Sequence, residues 1–225
     1  MALNLAYGER KIFWGNEGLL IGKLEKAEGA DGKVTAKNIK LVTGLVSVSE
    51  MEDQAETSNF PADDIADHGS KKGATLLQGE MVFLQLDEGV AEDLMGQVKS
   101  ENGLGSISTG NYSNFIVQYI NKARKKTADG VVDGYKILVY PALKATADAT
   151  GESETDSSDG VDPIQYTLPV QASGTALYRS NEKTPAVVPY EVWGEQAIEF
   201  EKMMNDTPFI MFPDTVIPEK AAKGK

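Results

Sequence analysis

Residues 134–178 read GYKILVYPALKATADATGESETDSSDGVDPIQYTLPVQASGTALY. In the last third of this stretch, Ile164, Tyr166, Leu168, Val170 and Ala172 fall on one face, and Gln165, Thr167, Pro169, Gln171 and Ser173 on the other. A period of two held this long marks a strand with one buried and one polar face. The earlier run, Tyr135 to Tyr140, is apolar on both faces and reads as more deeply buried. The simplest reading is an antiparallel pair joined by a long acidic loop, residues 148–162, with Asp148, Glu152, Glu154, Asp156, Asp159 and Asp162. Calcium could use such acids, but a self-repelling solvated loop is the plainer account.

Upstream, residues 1–14 read as an arm with a first strand, Gly18–Leu24 as a short strand, and residues 28–33 as a turn. Ile39–Ser49 and Ala74–Leu86 alternate as strands, and the polar segment Glu50–Lys72 reads as an edge strand or protruding loop. Asp87 stands where a helix N-cap belongs, and Val90, Ala91, Leu94, Met95 and Val98 make one apolar face, so a short helix is expected at about 88–98. Lys99–Asn114 reads as a loop. Phe115–Ile120 reads as a strand with Phe115, Val117 and Tyr119 on one face, running into the basic cluster Lys122, Arg124, Lys125 and Lys126. Downstream, Tyr190, Trp193, Ala197, Phe200 and Met204 recur at spacings of three and four, which predicts a second helix at about 190–204 with Pro189 at its start.

The fold class is therefore mainly β: a β-sandwich or open barrel of about six to eight strands with two flanking helices. Residues 1–205 are expected to form one domain including the N-terminal arm, and 206–225 a C-terminal arm or extension. The apolar patch Phe209–Phe212 can be an edge strand of the same domain, an arm docked on a neighbouring subunit, or a disordered tail.

Composition narrows function. The chain has 225 residues, 41% of them apolar, enough for a sizeable core. It has no cysteine, which removes disulfides, thiolate nucleophiles and Cys-based metal sites. A net charge of -12 argues against a general basic grip on nucleic acid. The start, MALNLAYGERKIFWG, lacks a basic-then-apolar pattern, so no signal peptide is expected, and no apolar run is long enough for a membrane helix. Asp63, Asp64, Asp67 and the sole histidine, His68, read as a solvated acidic turn and lack the loop geometry of a calcium site. Gly103-Leu104-Gly105-Ser106 lacks the third glycine and following helix of a dinucleotide loop. No catalytic, cofactor or metal residues stand out. Tyr112, Tyr119 and Trp193 could stack on a sugar, which makes a carbohydrate- or host-surface-binding β-sandwich the alternative; core packing is the ordinary role of such aromatics.

Several motifs point further. They are Ala62-Asp63-Asp64, the strand–helix unit Glu80–Gly96 ending Leu94-Met95-Gly96, the strand Tyr135-Lys136-Ile137-Leu138-Val139-Tyr140-Pro141, and Pro163–Gly174 leading into Gly174-Thr175-Ala176. In this order, over roughly residues 40–180, the chain resembles the major tail protein (tail tube) family of long-tailed, non-contractile bacteriophages of Gram-positive bacteria.

The resemblance implies a structural virion protein, not an enzyme, made in the host cytoplasm and built into the tail. It implies hexameric rings that stack into a tube, with sheets of neighbouring subunits lining a lumen through which DNA passes without specific binding. The implied partners are other copies of the chain and the tape measure, terminator and tail-tip proteins, with no membrane and no cofactor. Six copies at -12 each would carry about -72, which keeps a duplex from sticking to the wall. The contacts between subunits are expected at Lys122, Arg124, Lys125 and Lys126, facing acidic loops, and at Phe209 and Phe212. Reversing the charge of Lys125 and Lys126 is then expected to impair tube assembly in electron micrographs while leaving the monomer folded; normal tubes from that variant refute the pairing.

Overall fold

The computed structural model describes residues 9–26, 33–87, 89–127, 130–153 and 163–218. In chain order these hold β1 (Arg10–Lys26), β2 (Val34–Val42), β3 (Leu45–Val48), β4 (Glu52–Asp53), β5 (Thr57–Ala62), β6 (Ile65–Lys72) and β7 (Leu76–Phe83). A π-helical turn, Gly89–Leu94, follows, then β8 (Gln97–Lys99), β9 (Ser106–Ser108), β10 (Phe115–Thr127), β11 (Gly130–Ala145), β12 (Thr150–Glu152), β13 (Gln165–Ser173), β14 (Val188–Trp193) and α1 (Glu195–Asp206).

One antiparallel sheet dominates, in the order β2-β1-β10-β11-β13-β7-β3, with β12 on β13, β14 on β11 and β4 on β7. It curls into a half-barrel, and Asn16 of β1 donates to the Val46 carbonyl of β3 across the gap, at 2.5 Å. The expected mainly β architecture, with seven strands on the main path and two short helices, is what forms. β10 organises it. Phe115, Val117 and Tyr119 enter the core inside the curl, with Leu19, Ile21, Met81, Phe83, Leu143 and Leu168. Ile116 and Ile120 enter a second core on the outer face, with Leu20, Ile137, Val139, Val192 and Phe200. A strand buried on both faces needs a cover on each side. The π-helical turn supplies one, sinking Val90, Ala91 and Leu94 into the curl. The other is α1, which rests Ala197 and Phe200 on the outer face.

Local chemistry explains several boundaries. The Asp87 carboxylate accepts from Val90 N at 3.1 Å and from Thr43 N at 2.9 Å, so the expected N-cap also ties the turn to the β2–β3 connection. The segment expected as one strand over Ile39–Ser49 breaks at Gly44, whose φ of 79° and contact with Gln85 leave no room for a Cβ. Conversely, the arm and two short strands expected near the N-terminus merge, within residues 10–26, into the single strand β1, interrupted by a register shift between Trp14 and Gly18. The helix expected to about 98 stops at Leu94, and Gln97–Lys99 instead pairs as β8 with Ser106–Ser108 of the expected loop, which leaves Val98 exposed. Residues 28–32 and 154–162, part of the expected turn and most of the acidic loop, lie outside the described residues.

The opening stretch is corrected in its pairing. β13 has the expected faces, with Leu168, Val170 and Ala172 buried. It pairs with Ala142–Ala145 of β11, however, not with Tyr135–Tyr140. The latter lies between β10 and β14, with Ile137 opposite both Ile120 and Tyr190. The acidic loop instead connects β12 to β13. The second helix begins at Glu195, five residues later than expected, because the ladder to β11 takes Val188–Trp193 as a strand.

Residues 208–218 form no strand and are described, so an edge strand there is also corrected. They lie as an extended strap over the outer core, with Ile210 and Met211 buried. Gln118, the one buried polar side chain among the described residues, holds the strap. Its amide donates to the Phe209 carbonyl at 3.0 Å and accepts from Met211 N at 2.7 Å. Tyr178 donates to the Met211 carbonyl at 3.0 Å, and burial raises its hydroxyl far above the usual tyrosine range, so it stays protonated. Gln118→Leu keeps the volume but leaves a buried N–H and a buried carbonyl unpaired. It is expected to lower stability by about 2–4 kcal/mol, read from the denaturant midpoint.

Candidate assembly surfaces

Beyond Ile120 no residue of β10 joins either core, although Ala123 is still buried, and β1, β10 and β11 continue as a ribbon with the end of β14 alongside. Its two faces differ because successive residues of β10 alternate. On the face shared with α1, Lys122 pairs with Glu17 at 2.6 Å, and Arg124 makes a two-pronged contact with Asp133 at 2.6 and 3.2 Å. Arg124 also lies 5.6 Å from the Trp14 ring centre. On the opposite face, Lys125 lies 5.1 Å from the Trp193 ring and 3.2 Å from Glu9, while Lys11 reaches Glu191 at 2.7 Å and Lys136 covers Phe13 at 4.5 Å.

The basic cluster is thus split between two faces, and Lys122, Arg124 and Lys125 each have a carboxylate partner in the same chain. Lys126 is exposed and forms no ion pair among the described residues. Phe209 and Phe212 pack on the chain's own outer core: Phe209 lies edge-on to Phe200, and Phe212 stacks with Tyr178 at 5.3 Å. The three aromatics considered for sugar stacking do not share a platform. Tyr119 is buried beside Asn16, Tyr112 donates to Asp148, and Trp193 lies under lysines.

Two exposed features escaped the sequence reading. One is a groove of about 560 Å³ between α1 and the ribbon, walled by Trp14, Val131, Val132 and Ile198, with Arg124 and Glu201 at its rim. Trp14, Val131 and Ile198 are 41%, 60% and 67% exposed, more apolar surface than a solvated strand end needs. The other is the β5–β6 hairpin. Apart from Gly69, every one of its residues whose side chain is described is exposed, Phe60 among them. The only hint in the sequence was the presence of large apolar residues, Trp14 and Phe60, in segments otherwise read as arm and loop. Among the described residues no helix is long and apolar enough to cross a membrane, and no group of three His, Asp or Glu side chains is placed to hold a metal.

The ribbon's ion pairs set its charge state. The hydrogen bond from Arg124, which outweighs desolvation, holds the Asp133 carboxyl below its usual range, and Lys11 does the same for Glu191. A carboxyl depressed in the folded state contributes stability that is present above its unfolded pKa and is lost as pH falls through the depressed value. The ribbon therefore keeps these pairs at neutral pH and loses them only on acidification. Asp133 followed by NMR is expected to titrate below the ordinary aspartate range and to move up in Arg124→Gln; an unmoved titration rules out Arg124 as the cause.

Comparison with known proteins gives the family of the chain. The profile of a family described as phage tail tube protein matches residues 1–220. The tail tube protein of Lactococcus phage SK1 is 55% identical over 217 residues, covering 96% of this chain and 71% of the relative. The tail tube protein of Lactococcus phage p2 matches at the same identity and coverage, and that of Lactococcus phage F4-1 at 54%. At this identity over nearly the whole chain, the protein belongs to the phage tail tube protein family.

Proposed function

We propose that this structural tail tube protein closes into hexameric rings that stack into an acidic conduit for DNA. The observation that carries the reading is the unclosed sheet. Among the described residues, β2 and β14 each pair on one side only. An exposed strand edge is a template for another strand, and a ring of copies covers every such edge without leaving a free end. Stacking is a heterologous contact and continues until another protein stops it, which gives terminator, tape measure and tail-tip proteins their places as partners.

The surplus of acid supports the conduit, since -12 per copy repels a duplex and lets it slide. The work is physical and not catalytic. Residues 1–205 act as the tube domain with 206–225 as its C-terminal extension, the chain is made in the host cytoplasm, and it functions in the virion tail. Lys122, Arg124, Lys125 and Lys126 lie on the ribbon that faces neighbouring copies, with Lys126 the residue most available to an acidic patch. Phe209 and Phe212 act through the strap, which shapes the surface beside α1.

Electron microscopy of the purified chain at high concentration tests the reading. Stacked rings with six-fold end views are expected. A chain that stays monomeric, or forms only a small closed oligomer, across protein and salt concentrations contradicts it.

A further inference from the structure

We propose that the β5–β6 hairpin of one copy seats Phe60 in the groove between α1 and the ribbon of a second copy. The proposal rests on the self-assembly reading and names the surfaces that meet.

Among the described residues the hairpin is a knob with no socket in its own chain. Its strands pair only with each other, and a two-stranded hairpin is marginal alone in water. Asp63 and Asp64 make its turn, with φ of 52° and 59°, the double positive-φ geometry of a tight hairpin. Phe60 lies opposite Gly69, where an added Cβ would meet nothing within 4 Å, and stays 56% exposed. The tip thus presents one aromatic ring, then Pro61, then two carboxylates.

The groove offers the complement. Trp14, Val131 and Ile198 are exposed on its walls, and about 560 Å³ can admit an aromatic side chain. It owes its space to α1, which turns Ala197 and Phe200 to the core and leaves Ile198 outside. Gly194, with φ of 58°, makes the turn from β14 into α1 beside the groove. The groove lining carries both signs, Lys122 and Arg124 with Asp133 and Glu201, and the acidic tip is matched to Lys126, the next residue on that face of β10. Lys122, Arg124 and Lys126 alternate onto the groove face of β10, and Lys126 has no ion-pair partner among the described residues. A ring in an apolar slot, with carboxylates reaching the Lys126 ammonium, gives both an anchor and a register. The knob and the socket are different parts of the chain, so each copy gives one and receives one, and the contact propagates.

The absence of cysteine makes the test direct. The double variant Pro61→Cys/Ile198→Cys keeps Phe60 and Trp14, and Asp64→Cys/Lys126→Cys serves as a second pair should the first fail to fold. Mild oxidation under assembly conditions is expected to give a reducible ladder of dimers, trimers and longer chains, whereas each single-cysteine variant stops at dimers. Phe60→Ala is expected to raise the concentration needed for assembly at least tenfold. Rings or tubes in the micrographs from folded double variants that give no ladder overturn this contact and leave the tube reading intact. A chain that assembles under no condition overturns both.

Discussion

The structure depends on one strand being buried on both faces. From Phe115 to Ile120 every residue of β10 is buried, odd positions in the core inside the curl and even positions in the outer core. Such a strand must be central in its sheet and roofed on each side. The curl with the π-helical turn roofs one face, and α1 with the strap roofs the other. Gln118 falls within this stretch on the outer face, and the burial of a polar side chain there is tolerable only because the strap's backbone satisfies both ends of its amide.

The same strand shows where packing ends and surface chemistry begins. After Ile120 the apolar run stops, yet the ladder to β1 continues to Lys126 and that to β11 to Thr127. A two-faced ribbon with little core draws on contacts between its strands, and here several are ionic or cation–aromatic, including Arg124 with Asp133 and Lys125 over Trp193. Exposed pairs of this kind contribute little to stability. Their effect is orientation: they hold Trp14 and the ribbon strands beside α1.

Much of this was legible in the residues, and the reason is local. The alternation of Leu168, Val170 and Ala172 with Thr167, Pro169 and Gln171 depends on backbone pleat alone and holds whichever strand lies alongside. Asp87 caps its turn because an N-cap needs only its own side chain and the next few amides. The helical spacing of Ala197, Phe200 and Met204 likewise placed α1, but Tyr190 and Trp193 fitted the same spacing and belong to β14. Periodicity of three and four cannot tell a helix from a strand that happens to carry aromatics at those positions.

The sequence by itself determined the mainly β class, the buried face of β13, the acidic surplus and the family resemblance. Each is a property of composition or of neighbours within a few residues. Only the tertiary structure decided that β11 divides its edge between β13 and β14, that residues 208–212 lie as a strap gripped by Gln118, and that the basic cluster splits across two faces with partners from β1 and β11. It also decided that Trp14, Val131 and Ile198, residues 117 and 67 positions apart along the chain, wall one groove. These depend on which distant segments meet, and pairing between segments far apart in the chain leaves no periodic trace in either one.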